Sequence, residues 1–218
     1  MDIFEDSIRS VARVAESCGL APYIRRAHLG DAAGFEPDGK YHILVMEVLQ
    51  RALEKEPQVA LTRVLAPHIA AGGFLIPEEV RVYAYIGNVD EHFPPKKAPR
   101  PADVPRHHLG DVFSLTKDSL GDVTFEEIVP GAERIRARTI EVGEFAVTDY
   151  MMMLGTDITL FGEYKIEEGE SGLTEPFVLH NMGPFAAGDT VEIDYILDNF
   201  PIFEAKVRRP AGSGLISR

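Results

Sequence analysis

The chain has 218 residues, a formal net charge of -13 and one cysteine, with hydrophobic residues at 45% and charged residues at 26%. This composition excludes the apolar-poor, highly charged regime of disordered chains. The carboxylate excess excludes the clustered Lys and Arg that nucleic acid or an anionic membrane surface requires. Cys18 alone can form neither an intramolecular disulfide nor a paired-Cys zinc site, so a reducing, cytoplasmic setting is expected. The acidic start Met1-Asp2-Ile3-Phe4-Glu5-Asp6 carries no mark of a secretory signal. Apolar stretches are broken by charge or Gly before the roughly 18 residues a spanning helix needs, so a soluble protein is expected.

In chain order, Phe4, Ile8, Val11, Ala15 and Cys18 recur at steps of four and three, which predicts an amphipathic helix over 3–18 with Cys18 in the core. Asp2 and Glu5 have capping-box spacing, and Gly19 sits where a left-handed residue would end the helix. A second helix is predicted over 41–55, with Leu44, Val45, Val48, Ala52 and Leu53 on one face and Pro57 as its stop. The stretch 59–71 reads either as a third helix ended by Gly72-Gly73 or as two short irregular pieces.

Val80 to Ile86 is β-branched, aromatic and alternating, and so predicts a strand. Pro94, Pro95, Pro99, Pro101 and Pro105 make the following segment an extended surface loop or linker. Further strands are expected at about 111–115, 122–129, 132–141, 158–166, 174–181, 189–197 and 202–208, with a short helix at about 144–154 and Met151, Met152 and Met153 as core filler. In the last hairpin, Leu197 is expected opposite Phe203, Tyr195 opposite Ala205 and Ile193 opposite Val207, with Asp194 and Glu192 meeting Lys206 and Arg208 outside.

The expected fold class is therefore α+β: a helical N-terminal region over 1–78, an antiparallel β barrel or sandwich over 79–209 with a Pro-rich loop at 93–106, and a flexible tail over 210–218. Nucleotide-binding glycine loops, HExxH, GxSxG and CxxC are absent, so no nucleotide cofactor is expected. The residues with chemical potential are Asp90-Glu91-His92 after the first strand, His107-His108 after the Pro-rich loop, and His180-Asn181 near a strand end. Glu91, His92, His107 and His108 offer the imidazole and carboxylate donors of a divalent-metal site, while His107, His108 and His180 are candidates for acid–base catalysis. Asp149-Tyr150 and Glu126-Glu127 could supply a carboxylate or a phenol, although charge at such places is ordinarily solvated.

Two functional expectations follow. One is a small-molecule binder or metal-assisted enzyme of hydratase, isomerase or hydrolase type, with its pocket in the β domain. The other is a non-catalytic subunit or assembly factor that docks a protein partner through an acidic sheet face and the Pro-rich arm, since residues 141–204 hold 14 carboxylates against Lys165 alone. Homo-oligomerisation is compatible with both.

Overall fold

The computed structural model describes residues 1–93, 104–146, 150–180, 182 and 184–210. Helix α1, Glu5–Ser17, forms where the apolar spacing predicts, and Gly19 leaves it at φ 68°. Its start departs from the capping box: Phe4 is the N-cap, and Asp2 Oδ1 accepts from the Phe4 N–H at 2.8 Å. Of its apolar stripe only Ala15 is buried, and Cys18 is exposed rather than part of a core.

The helix expected over 41–55 is replaced by strand β1, Tyr41–Val45, and a 3-10 turn at Arg51–Leu53. Aromatic and β-branched side chains favour the extended form once a partner strand is present. That partner is β2, Ile69–Ile76, which pairs with β1 in parallel. Between them the chain forms α2, Gln58–Leu65, and a short 3-10 turn that accommodates Pro67. Gly72-Gly73 therefore lies inside a strand instead of ending a helix. β1 runs so close that a Cβ on Gly73 would stand 2.6 Å from the His42 carbonyl oxygen, and the ladder shifts register there, between Tyr41 and Ile43. The N-terminal region is thus only loosely helical.

Strand β3, Glu79–Asn88, runs through a five-stranded antiparallel sheet between β4, Arg106–Thr116, and β7, Tyr150–Phe161. α3, Val89–His92, follows β3 directly. β8, Tyr164–Ile166, and the short β9, Phe177–Val178, pair with β7. The helix expected at 144–154 does not form over Tyr150 to Leu154, which belong to β7; residues 147–149, including Asp149, lie outside the described residues, as do residues 94–103 of the Pro-rich loop, Asn181 and the tail from 211. β7 is apolar on both faces, Met152 and Leu154 on one and Met153 on the other, and such a run lacks the alternation that separates strand from helix.

The second antiparallel sheet has the order β11-β10-β6-β5, with β5 Glu126–Val129, β6 Ala132–Glu141, β10 Thr190–Leu197 and β11 Ile202–Arg208. The two sheets share one core: Val80, Val82, Ala84 and Ile86 of β3 join Ile135 and Ile140 of β6 and Val191, Ile193 and Tyr195 of β10. Full burial of each such aliphatic side chain is worth about 1.5–3 kcal/mol. Among the described residues this is a mixed α/β chain dominated by antiparallel strands, with few helices and no closed barrel.

The last hairpin forms, in a different register. Tyr195 faces Phe203, Ile193 faces Ala205 and Val191 faces Val207. The shift is two residues, so every side chain keeps its face and the apolar set stays inside. The turn is held by Asp198 Oδ1, which accepts from the Phe200 N–H at 2.7 Å. Asp194 now stands opposite Glu204, a like-charge pair, because its counter-ions come from the other neighbour: Arg136 of β6 reaches Asp194 Oδ1 at 2.5 Å.

Two buried bonds fasten the N-terminal region to this frame. The Ala52 N–H donates to Thr156 Oγ1 at 2.9 Å, and the Tyr195 hydroxyl donates to the Leu53 carbonyl at 2.8 Å. Ala52 and Leu53 hold φ values of 49° and 54°, a conformation that unbranched local preference would not select. No helix among the described residues is long and apolar enough to cross a membrane.

Candidate functional site

β3 sends Arg81, Tyr83 and Tyr85 to the side of its sheet away from the shared core, as alternation requires. There the Tyr83 hydroxyl donates to Glu168 Oε2 and Arg106 donates to Glu168 Oε1, each at 3.0 Å. Arg81 donates to Asp111 Oδ1 at 2.8 Å. Burial, followed by the Glu168 charge, pushes the Tyr83 phenol well above its ordinary range. Gly155, opposite Tyr83 on β7, leaves room for this arrangement, since a Cβ there would stand 2.5 Å from Tyr83 Cε2 and collide with Glu168 Oε2.

Two of the sequence-nominated histidines reach this shelf. The rings of His92 and His108 lie 5.2 and 6.1 Å from that of Tyr85. His92 is buried, with Nδ1 at 2.8 Å from the Asn88 carbonyl, and the Asn88 side chain caps α3 through the Asp90 and Glu91 N–H groups. Burial first, and Arg106 second, lower the His108 pKa below its ordinary value. His107 points the other way: it pairs with Ile86 and its ring lies 6.3 Å from Phe145. Glu91 is exposed. The four nominated metal ligands are therefore not brought together, and among the described residues no group of three or more His, Cys, Asp or Glu side chains is placed to hold a metal.

His180 sits at the rim of a separate cavity of about 230 Å³ lined by Tyr150, Met152, Leu179, Met182 and Phe185. The Tyr150 hydroxyl is already committed, donating to the Phe185 carbonyl at 2.5 Å. Glu126 is exposed on β5 and pairs distantly with Arg134, 3.9 Å away, a solvated position.

A larger concavity, about 570 Å³, lies in the N-terminal region. Tyr41, Ile43 and Val45 of β1 form one wall; Phe35, Arg25 and Arg26 face them. Asp38 is held there by the Tyr41 hydroxyl at 2.7 Å and by Arg25 at 3.4 Å, which lower its pKa in that order.

No protein-family model matches the chain. No curated protein matches it either. Among solved structures, the Trypanosoma brucei PRMT1 enzyme-prozyme heterotetrameric complex with AdoHcy is similar at a TM-score of 0.49 and 10% sequence identity, over 93% of this chain and 78% of that one. At that level of likeness neither activity nor partners transfer to this chain.

Sequence reasoning missed the features that dominate this geometry. Glu168 and Arg106 carry no motif and meet Tyr83 only through the sheet. The bare wall of β1 was hidden by the helical reading of 41–55, although the alternation Tyr41, Ile43, Val45 was present. Among the described residues 19 large apolar side chains are exposed, and 11 of them fall between Met1 and Val45, so the solvent-facing grease is concentrated in one region.

Proposed function

We propose that this chain is a docking subunit of a larger protein assembly, with its N-terminal region as the interface. The observation that carries the reading is the bare apolar wall of β1 and β2: Ile43 is 58% and Val45 64% exposed, and Phe74 of β2 stands beside Ile43. A parallel pair is ordinarily covered on both faces, and an exposed apolar surface of this extent marks an interaction site on a folded protein. The other face of the pair is covered, by Leu61 and Leu65 of α2 against Leu44, Met46 and Leu75.

The reading is tested by placing a photo-crosslinking amino acid at Tyr23 or Val45 of the full chain in the cells that produce it. A discrete one-to-one protein adduct is expected at both positions and none at Phe200, which is 75% exposed but lies on the far hairpin. Equal yields at all three positions would sink the proposal.

A second reading rests on the His180 cavity. Its volume suits a small ligand, and an imidazole at its rim could act as acid or base in hydration, isomerisation or hydrolysis. Fragment binding followed by fluorine NMR decides it: hits displaced by His180→Ala support the reading, and an absence of hits ends it.

A further inference from the structure

We infer that the protein docking at this face is a second copy of the chain, paired β1 edge to β1 edge about a two-fold axis. The inference rests on the docking reading above and names its partner. Among the described residues β1 pairs with β2 alone, so its other edge presents a row of backbone donors and acceptors. Natural edges are usually guarded by Lys, Pro or an inward charge. β1, Tyr41-His42-Ile43-Leu44-Val45, carries none of these.

A two-stranded sheet is marginal by itself, and three or more strands with an apolar face are needed for independent stability. Joining two β1 edges gives a four-stranded sheet with the order β2-β1-β1-β2. It also sets the two walls of Ile43, Val45 and Phe74 side by side on one face of that sheet, with the Ile43 side chains of the two copies neighbours across the axis.

The charges flanking the strand favour self-pairing over addition of an unrelated strand. Lys40 precedes β1 and Glu47 follows it, both exposed; the Lys40 ammonium donates to the Pro67 carbonyl oxygen, and Glu47 makes no ion pair among the described residues. A two-fold axis through Ile43 makes the two β1 strands antiparallel and brings Lys40 of each copy to the end where Glu47 of the other lies. A strand that is positive at its start and negative at its end is complementary to itself in that orientation. In a parallel alignment like charges would meet instead.

The test is the mass of the full chain in solution, by light scattering behind size exclusion and by sedimentation equilibrium over a wide concentration range. The expected species is a closed dimer of two 24.1 kDa chains. Ile43→Arg should abolish it, while Phe200→Arg leaves it intact. Lys40→Glu and Glu47→Lys should each weaken it, by about tenfold in dissociation constant for the two symmetric contacts. The double variant carrying both reversals should restore it, a signature that general destabilisation cannot produce, and one that decides the matter even where Ile43→Arg fails to fold. A single-chain mass at every concentration, a dimer indifferent to all these changes, or open-ended growth would each overturn the inference. If the chain is monomeric but Val45 crosslinks to a different protein, the second-copy inference fails and the docking reading survives. If neither association is seen, both fail.

Discussion

Replacing Thr156 by Val removes a single acceptor while keeping nearly the same shape. The Thr156 hydroxyl takes the Ala52 N–H at 2.9 Å, and both residues are fully buried. In the variant that N–H keeps its desolvation cost and loses its partner, a penalty of about 1–3 kcal/mol. For a chain of this size each kcal/mol lowers the midpoint of thermal unfolding by about 2–4 °C, so a fall of about 2–12 °C is expected by calorimetry, with a matching drop in the urea midpoint. Tyr195→Phe strips the donor from the Leu53 carbonyl next door and should cost a similar amount. Because both bonds hold the same left-handed turn, the double variant should lose less than the sum of the two single losses. Thr139→Val, on an exposed position of β6, is the control. A Thr156→Val protein within about 0.3 kcal/mol of the parent would refute the claim that these bonds fasten the N-terminal region to the two antiparallel sheets.

Gly155→Ala should cost about 1–3 kcal/mol in urea unfolding, because its methyl group would occupy the space of Tyr83 and Glu168; a neutral result would mean the shelf over β7 is loosely packed. Arg136→Gln should cost about as much, since Asp194 would then face Glu204 with Arg134, 3.6 Å away, as its remaining cation, and Glu204→Gln in the same background should recover part of the loss. The depressed His108 pKa means that the unfolded chain binds its proton more readily than the folded one. The associated stability is thus fully present above the ordinary value of 6.5 and is lost as pH falls from there toward the lower folded value. His108→Gln should flatten this slope in urea midpoints measured across that window, and an unchanged slope would assign it to other groups.

What could be read in advance was the face on which a side chain lies. Strands β3, β10 and β11 put their core-facing residues where alternation places them, while a bulge in the β6 ladder brings Ile135 and Ile140, five positions apart, into the same core. The register of the last hairpin was not legible, because two residues of slip leave that pattern untouched. Two contacts outside the alternation go with the observed register: Arg136 on β6 pairs with Asp194, and Asp198 holds the turn through the Phe200 N–H. Segments apolar on both sides, β7 above all, lost the alternation that marks a strand. β1 was misread because its five residues depend on β2, a partner about thirty positions away that no local rule supplies. Of the nominated histidines, the pairing of His92 with His108 over Tyr85 follows from the hairpin of β3 and β4, while the divergence of His107 from His108 is the ordinary consequence of adjacent residues on a strand.

The same cross-strand logic bears on which surface has binding capacity left. The acidic stretch 141–204 suggested a docking face by its charge, yet five of its 14 carboxylates are answered by cations of the same chain: Glu168 by Arg106, Asp157 by Arg81, Glu175 by Arg51, Glu192 by Arg136 and Arg208, and Asp194 by Arg134 and Arg136. All of these cations come from outside that stretch, which is why composition by segment overstated the charge. At those five a basic partner would have to displace existing pairs and would gain only the difference. The wall of Ile43, Val45 and Phe74, whose Phe74 ring packs edge-on against Phe161 at 5.2 Å, carries no ion pairs, so water on it is displaced without breaking any. On the docking reading proposed above, association would therefore draw on the apolar N-terminal face, with charge in the smaller role of choosing an orientation.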